Sequence, residues 1–300
     1  DKKLFFIKSL LKNITTKKDS KILNKNLLYK ELGKITSAKK YLVDNYYIDS
    51  SKINYEKVRK LFQKYNIMIF KPVYGIAGMG VKILDSFEKF KKYTFSKEFK
   101  ESLYPLKNTP GKNIENKKYN DWVLQEYIDD SMLIDGKKFH IRGYFLVHQE
   151  KKYLLKKAEI KLARKKYKKG FYDDEDMGDT HNLGKKELMK EYPCELGVSS
   201  KIKNKIEKQM TDLFHLIGNI DKFFDCYQET KDCYEVFGFD VLITDKYRVK
   251  IIEINSDPSM YSLKLKIFEY LLENEIKLMV DSKFPPKNKV DEESDFIQVY

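Results

Sequence analysis

Three oxygen-bearing side chains near the end of the chain have the types and spacing of a metal site. Glu253 and Asn255 are two residues apart in an apolar run, and Asp240 lies at the head of an earlier one. Because side chains alternate across a strand, Glu253 and Asn255 should share one face while Ile252 and Ile254 point into a core. A short turn between the two runs would pair them as a hairpin and bring the third oxygen donor to the same place.

Carboxylate and amide oxygens are the ligands that Mg²⁺ prefers in proteins. Asp240, Glu253 and Asn255 are therefore predicted metal ligands. The alternative is a polar strand face that only meets water. A nucleotide site elsewhere in the chain would favour the metal, because protein-bound Mg²⁺ usually also contacts the phosphates of a substrate.

A glycine-rich loop after a predicted strand is the first candidate for phosphate binding. Lys71 precedes the loop, and Gly75, Gly78 and Gly80 lie within it. Glycines let backbone amides approach phosphates closely. The spacing is neither a Walker A loop nor G-x-G-x-x-G. Taken alone, the loop is explained equally well by a hairpin turn.

A strictly alternating strand adds cations to this loop. Lys138, His140 and Arg142 fall on one of its faces, and Phe139 and Ile141 fall on the other. Together with the lysine before the glycine loop, these side chains would form a cationic shell for a polyphosphate. A further strand could present backbone groups to an adenine edge, through Gln125, Glu126, Tyr127 and Ile128.

The elements that must position these groups are both helical and extended. Residues 1–65 are predicted to be mainly helical, apart from a short extended piece at 45–48. Further strands are expected at Ile67–Phe70, Val81–Leu84, Trp122–Ile128, Lys138–His148 and Lys152–Leu155, and further helices at Ser86–Tyr93, Ser200–Gly218 and Ser262–Met279. This order indicates an α+β (mixed α/β) protein. The predicted division is an N-terminal lobe at 1–65, a central lobe at 66–135 and a C-terminal lobe at 136–300.

Composition narrows the classes of function. Of the 300 residues, 42% are hydrophobic, which is enough for a buried core, and no apolar run is long enough to cross a membrane. The start lacks both Met and a secretory signal, which suggests a trimmed end. Scattered cysteines (Cys194, Cys226, Cys233) favour a reducing compartment.

The net charge of +14 predicts an acidic partner, and the excess of basic residues is highest in 151–170. Nucleic acid is disfavoured as that partner, because no nucleic-acid-binding motif accompanies the charge.

Five motifs occur in a fixed order from about Ile67 to Met260. They read K-P-x-x-G-x-x-G-x-G, Q-x-Y-I, D-G-K-K-F-x-I-R, F-G-F-D-V-L and I-E-I-N-S-x-P-S. This series strongly resembles the tubulin–tyrosine ligase-like family of the ATP-grasp fold. The resemblance implies three lobes, with an ATP cleft between the central and C-terminal lobes. It also implies a ligase that uses ATP and Mg²⁺ to join Tyr, Glu or Gly to a protein, often the acidic tail of tubulin. In that reaction an acyl phosphate forms on a substrate carboxylate, and the incoming amino group displaces the phosphate.

The resemblance also implies roles for individual residues. Arg142 would face the acyl phosphate or its parent carboxylate, and Lys138 and Lys161 would complete the catalytic set. The nucleotide would contact Lys71, Gly75, Gly78, Gly80, Gln125, Glu126, Tyr127, Ile128, Lys138, His140, Thr180 and Asp240. Mg²⁺ would be bound by Asp240, Glu253 and Asn255.

Three positions depart from the family pattern. His140 stands where the family usually has Asp, and a neutral imidazole does not replace the charge of a carboxylate. Lys161 stands in place of an Arg and lacks its bidentate fork. The family's Thr-Asn pair becomes Thr180-His181-Asn182. All three lie on the side that the family uses to select the amino acid and its acceptor.

The leading hypothesis is a monomeric, cytoplasmic protein–amino-acid ligase, associated with microtubules where tubulin is the acceptor. A ligase with an acceptor other than tubulin is the second hypothesis. The third is an inactive ATP-binding module that docks on an acidic partner, which the change at His140 leaves open. A nucleic-acid binder is the fourth.

Overall fold

The computed structural model describes residues 25–73, 80–103, 120–148, 151–172, 189–192, 195–220, 234–255, 266–279 and 294–299. The cysteines Cys194, Cys226 and Cys233 lie outside the described residues, so the reducing compartment inferred from them stays a prediction. Within the described ranges, no helix is both long enough and apolar enough to span a bilayer.

The described residues up to Glu126 build a four-stranded antiparallel sheet. In chain order its elements are α1 (Lys25–Leu32), a 3₁₀ helix (Thr36–Tyr41), β1 (Asn45–Asp49), α2 (Tyr55–Lys64), β2 (Met68–Pro72), β3 (Lys82–Leu84), α3 (Phe87–Phe95), α4 (Lys97–Ser102) and β4 (Asp121–Glu126). The strand order is β1-β4-β2-β3, so β2 and β4 are the inner strands. The predicted phosphate lysine and the predicted adenine strand are therefore neighbours.

Side-chain caps determine where two of the helices on this sheet begin. Asn54 precedes α2 and accepts a hydrogen bond from the backbone N–H of Lys57 at 2.9 Å. Ser86 precedes α3 and accepts a hydrogen bond from the backbone N–H of Lys89 at 3.2 Å. Such caps satisfy N–H groups that the first helical turn leaves without a partner.

An aromatic core lies beneath the inner strands. Phe70 and Trp122 are fully buried, and their rings stack with centroids 4.6 Å apart. Phe90 meets the ring of Phe70 edge-on at 5.0 Å. Stacked and edge-to-face aromatic pairs stabilise a core beyond the area that they bury. This packing holds β2 and β4 side by side and so fixes the positions of Lys71 and Gln125.

The second sheet contains eight strands among the described residues. Its elements are β5 (Leu133–Ile134), β6 (Lys137–His148), β7 (Lys151–Leu155), β8 (Ala158–Leu162), β9 (Met189–Tyr192), α5 (Ser200–Gly218), β10 (Tyr234–Ile243), β11 (Val249–Asn255), α6 (Lys266–Met279) and β12 (Phe296–Gln298). The main strand order is β11-β10-β6-β7-β12, and β8 pairs with the first half of β6 and with β9.

Helix α5 buries one face of this sheet. Phe214 of α5 lies 5.2 Å from the ring of Phe145 and 4.1 Å from that of Phe239, measured between centroids. Phe139 and Ile141 share this core, as their alternation along the strand predicts. The polar side chains of β6 therefore emerge on the opposite face, where the candidate site lies.

A β-bulge in β11 changes the expected alternation. Asp240 is opposite Glu253, but the next residue of β10, Val241, is opposite Ile251. Ile252 is the extra residue, half-buried and outside the core cluster, whereas Ile251 and Ile254 are both in that cluster. The expectation that Ile252 points into the core is therefore wrong. A bulge places two residues of one strand against one of its partner, which resets the alternation.

The mixed α/β class predicted from the sequence is confirmed, with antiparallel pairing in both sheets. The helix Ser200–Gly218 has the predicted bounds, and strands β6 and β7 begin one residue earlier than expected. The division into three lobes stays a prediction. In the structure β1, from the segment 1–65, joins the sheet formed by 66–135.

Candidate active site

A row of charged residues crosses four strands of the second sheet. Glu253 of β11 is opposite Asp240 of β10, which is opposite Arg142 of β6, which is opposite Glu159 of β8. Directly opposed residues on one face of an antiparallel sheet have Cβ atoms about 5 Å apart. The structure therefore brings together three of the predicted site residues and adds Glu159, which was not predicted.

The centre of the row is a buried ion pair. Arg142 donates from Nε to Asp240 Oδ1 at 2.5 Å and from Nη2 to Oδ2 at 2.8 Å. Burial alone would raise the pKa of Asp240, but the charge of Arg142 and the hydrogen bonds from Arg142 and His140 hold that pKa well below its usual range. The same pair raises the pKa of Arg142 in spite of burial. Both groups are therefore charged in the structure.

His140 lies beside this pair. Its Nε2 is 3.4 Å from Asp240 Oδ1, and its side chain is almost fully buried. Burial lowers the pKa of His140, against the opposing effect of Asp240. The imidazole is therefore neutral at physiological pH, and it cannot supply the negative charge of the Asp that the motif usually has here.

The predicted metal ligands form one corner of the row. Asp240 and Glu253 are direct cross-strand neighbours, and Asn255 follows on the same face, its Nδ2 lying 3.3 Å from Glu253 Oε1. Two carboxylates and an amide oxygen fit the donor preference of Mg²⁺. Across the parts of the chain that the structure describes, no cluster of three or more His, Cys, Asp or Glu is placed to hold a metal. The metal role of these residues stays a prediction.

Lys71 and Gln125 connect the first sheet to the second. Buried Lys71 donates from Nζ to Gln125 Oε1 at 2.9 Å. The Gln125 side chain lies close enough to the Tyr29 hydroxyl to lower its pKa, although burial raises that pKa overall. Tyr29 donates to the carbonyl oxygen of Ile251 at 2.6 Å and lies 3.2 Å from that of Ile252. Helix α1 thereby holds the predicted nucleotide lysine next to the bulge of β11.

Lys138 is enclosed by aromatic rings and a carbonyl group. Its Nζ donates to the carbonyl oxygen of Ile128 at 2.8 Å and lies 3.7 Å and 4.4 Å from the ring centroids of Tyr127 and Tyr167. An ammonium over an aromatic face is stabilised electrostatically. Burial nevertheless lowers the pKa of Lys138 to about 7. A group with that pKa can change protonation state when a charged ligand binds.

Two backbone N–H groups of the predicted adenine strand already have hydrogen-bond partners within the protein. The backbone N–H of Glu126 donates to Asp44 O at 2.8 Å, and that of Tyr127 donates to Ile67 O at 3.3 Å. Those two N–H groups are therefore occupied by neighbouring chain segments. A base at this edge would have to contact carbonyl groups, Ile128 or the side chains of the strand instead.

A basic and aromatic segment after β8 docks beside this strand. Tyr167 and Tyr172 donate their hydroxyls to Asp129, with Tyr172 3.3 Å from Oδ2, and Lys169 Nζ lies 2.9 Å from the same oxygen. Because Tyr167 also contacts Lys138, the segment places exposed lysines next to the candidate nucleotide site.

Several predicted residues cannot be placed. Gly75, Gly78 and Thr180, with His181-Asn182, lie outside the described residues. Gly80 is described, with a φ of +74° and the Trp122 ring 3.2 Å from where a Cβ would be. Both the backbone conformation and the close ring favour glycine at this end of the loop.

Sequence reasoning missed Glu159, Tyr144 and Tyr29. Glu159 could have been found, because Ala158–Leu162 alternates and puts it on the same face as the predicted Lys161. Tyr144 continues the alternation of Arg142 in the same way. Tyr29 had no comparable signal, since the carbonyl groups that its hydroxyl contacts are more than two hundred positions away.

The two antiparallel sheets bring buried lysines close to a row of acidic residues and one arginine, in a mixed α/β fold of the ATP-grasp type. The sequence model of the Tubulin-tyrosine ligase family matches residues 12–185 and 172–292. The chain belongs to this family, and the resemblance stated from its motifs is confirmed.

Curated relatives carry names from three branches of tubulin modification. A probable tubulin polyglutamylase of Caenorhabditis elegans is 23% identical over 71% of this chain and 53% of its own length. A tubulin glycylase of Tetrahymena thermophila is 24% identical over 74% of this chain and 19% of its own length. A probable tubulin–tyrosine ligase of Schizosaccharomyces pombe is 30% identical over 55% of this chain and 43% of its own length. The chain thus spans about half or less of the length of these relatives.

Proposed function

We propose that the protein is an ATP- and Mg²⁺-dependent ligase that joins an amino acid (Glu, Gly or Tyr) to an acidic protein acceptor, with the C-terminal tail of tubulin as the first candidate. The observation on which this depends is the charged row from Glu253 to Arg142, placed on the same face as Lys138. Family membership and the names of the relatives support the reaction class and the acceptor.

The residues divide into groups with different tasks. Glu253, Asn255 and Asp240 would hold Mg²⁺, and Lys71 and Lys138 would hold the phosphates of ATP. Bound ATP would supply the phosphoryl group that activates the acceptor carboxylate. Arg142 would orient that carboxylate and offset its charge. Catalysis of this kind needs positioning and preorganised charge rather than a nucleophilic side chain.

Substitution Glu253→Gln is expected to lower turnover about 100-fold, because it removes a preorganised charge from the centre of the reaction. The measurement is ADP release, together with incorporation of labelled Glu, Gly or Tyr into tubulin or a polyglutamate peptide. Lys138→Ala should also abolish incorporation.

The matched control is Glu207→Gln, the same change at an exposed position of α5, which should leave turnover unaltered. If Glu253→Gln turns over at the wild-type rate, Glu253 has no role in the mechanism. A wild-type protein that neither releases ADP nor incorporates any amino acid would overturn the ligase proposal.

ATP binding near pH 8 is expected to take up close to one proton, because a lysine with a pKa of about 7 is then about nine-tenths neutral. Phosphates beside Lys138 favour the ammonium form and raise the pKa on binding. Near pH 6 the lysine is already protonated in the free protein, so uptake should be close to zero.

Calorimetric titration in buffers of different ionisation enthalpy measures this proton count. Lys138→Met removes the titrating group and should abolish the uptake. Equal uptake by wild type and Lys138→Met would show that another group titrates on binding.

Acidic acceptors are supported by the basic segment after β8. Lys166 and Lys168 are exposed in it, next to the tyrosine that contacts Lys138. Clustered cations attract an acidic chain over a distance and do so less at high salt. This chemistry fits a tubulin tail and other acidic proteins alike, so incorporation into an acidic acceptor other than tubulin is the alternative outcome.

The neutral His140 favours a second candidate function, a nucleotide-binding module without ligase activity. In that case the site lacks a carboxylate that the family motif usually provides. The module would bind ATP in calorimetry but release no ADP with any amino acid and acceptor. Recovery of activity in His140→Asp would identify this substitution as the cause.

A further inference from the structure

Glu159 is a buried carboxylate on the site face with no role in the scheme above. It is 5% exposed, and it lies at the end of the charged row, opposite Arg142. Its Oε1 accepts a hydrogen bond from the Tyr144 hydroxyl at 3.0 Å, and Lys161 Nζ lies 3.6 Å from Oε2. Buried carboxylates are rare unless they are paired or functional.

The other charged residues of the row do not pair with Glu159, so they do not explain why this carboxylate is buried. Arg142 faces it in register, but its Nε and Nη2 both bind Asp240. The predicted metal corner is distant, because Asp240 is two strands away, or about 10 Å at the usual strand spacing. Glu159 is therefore a separate negative site next to the arginine predicted to hold the reacting carboxylate.

A carboxylate at this position fits the chemistry of the proposed ligase. The cations Lys71, Lys138 and Arg142 suit phosphates and carboxylates, whereas an incoming amino acid also brings an ammonium group. An ammonium binds best to a desolvated carboxylate through charge-assisted hydrogen bonds. Lys161 Nζ lies 3.6 Å from Glu159 Oε2, so a nitrogen donor already approaches this carboxylate in the structure.

We propose that Glu159 binds the ammonium group of the incoming amino acid and accepts the proton that this group must lose before it reacts. This assignment rests on the proposed ligase function. It makes Glu159 a catalytic residue on the amine side of the reaction, as Arg142 is on the carboxylate side.

The proton and electron pairs balance in this step. The ammonium gives one proton to the Glu159 carboxylate, which becomes a carboxylic acid, and the nitrogen regains its lone pair. That pair forms the C–N bond at the activated carbonyl carbon, and phosphate leaves with the electrons of the C–O bond. The amide nitrogen loses its second proton to water, and Glu159 returns its own proton to solvent.

Tyr144 is a positioning residue for this carboxylate. Burial, and then the charge of Glu159, raise the pKa of its hydroxyl well above the ordinary value, so the hydroxyl remains a donor throughout the working range. Its hydroxyl is bound to Oε1, so Oε2, the oxygen that faces Lys161 Nζ, is the one that an incoming ammonium would approach.

The test compares two nucleophiles in Glu159→Gln, which keeps an oxygen that can accept from Tyr144 but removes the charge. The KM for the amino acid should rise about 10- to 100-fold, the range expected for losing a hydrogen bond to a charged group. ATP affinity should stay within about twofold, because Glu159 contacts no predicted nucleotide residue. Hydroxylamine is uncharged at neutral pH and needs neither recognition nor deprotonation, so hydroxamate formation on the acidic peptide should proceed at the wild-type rate.

Selective loss of the amino-acid reaction supports the assignment, and Glu207→Gln, exposed on α5, controls for the change in net charge. Equal loss of both reactions, or loss of neither, overturns it. If the wild-type protein forms neither hydroxamate nor amide, the ligase proposal itself has failed. If the wild-type protein is active and Glu159→Gln has the same KM for the amino acid and the same rates, only the inference about Glu159 is rejected.

Discussion

Asp240→Asn is expected to lower the free energy of unfolding by about 3 kcal/mol in the absence of ligands. The guanidinium of Arg142 is buried, and both of its short hydrogen bonds end on Asp240. An amide can accept one of these bonds but cannot offset the charge. The largest part of the loss is therefore the cost of an unpaired buried cation rather than of the missing contact. Equilibrium unfolding in urea measures the difference.

A double-mutant cycle separates the ion pair from its surroundings. Arg142→Met with Asp240→Asn should be less destabilised than the sum of the single variants, since the double variant leaves no charge unpaired. Additive effects would show that the pair is not coupled. Asp240 has a lowered pKa, so its contribution exists above the ordinary carboxyl pKa and disappears as the pH falls through the lowered value. The wild-type advantage should persist at about pH 4, where an ordinary aspartate begins to protonate.

Gly143→Ala is expected to destabilise the protein by about 3 kcal/mol, at the upper end of overpacking effects. Gly143 lies opposite Phe239 in the sheet, and a Cβ built on it would be 2.6 Å from Cε1 of that ring. Real Cβ atoms do not approach so closely, so either the ring or the β6–β10 pairing must move. Phe239 is fully buried against Phe214, which prevents the ring from moving away.

The relieving variant is Phe239→Leu, which shortens the side chain that fills the space over Gly143. Alone it should cost roughly 1–3 kcal/mol through lost packing. The double variant Gly143→Ala/Phe239→Leu should be more stable than Gly143→Ala alone, as measured by thermal unfolding. If the double variant is no better than Gly143→Ala, the loss has its cause in the backbone and not in the ring.

Alternation along strands made much of the second sheet predictable. Phe139 and Ile141 lie in the core as the pattern predicts, and Arg142 lies on the other face. Ser86 caps its helix because an unpaired backbone N–H needs an acceptor that a nearby serine supplies. These features depend on a few neighbouring residues, so a single sequence contains the information.

Features that depend on distant residues could not be predicted in the same way. The bulge at Ile252 arises from pairing with β10, and nothing in its local sequence marks it. The Arg142–Asp240 pair was predicted as two separate roles because the cross-strand register was unknown. Glu159 was overlooked for a different reason, since its strand lies within the basic segment 151–170 and its burial between β6 and β9 depends on pairing with both strands.

The additional residue at Ile252 also marks a position where the β10–β11 hairpin can change in length. With it, residues at 249, 251 and 254 all reach the layer beneath α5, while 253 and 255 turn to the opposite side. Removing Ile252 would restore regular alternation, with 249, 251 and 254 still in that layer and 253 and 255 still on the opposite side. A one-residue deletion at the bulge therefore keeps the carboxylate out of the aliphatic layer, and the exposed turn residues Asp245 and Lys246 are the other place where the length can change.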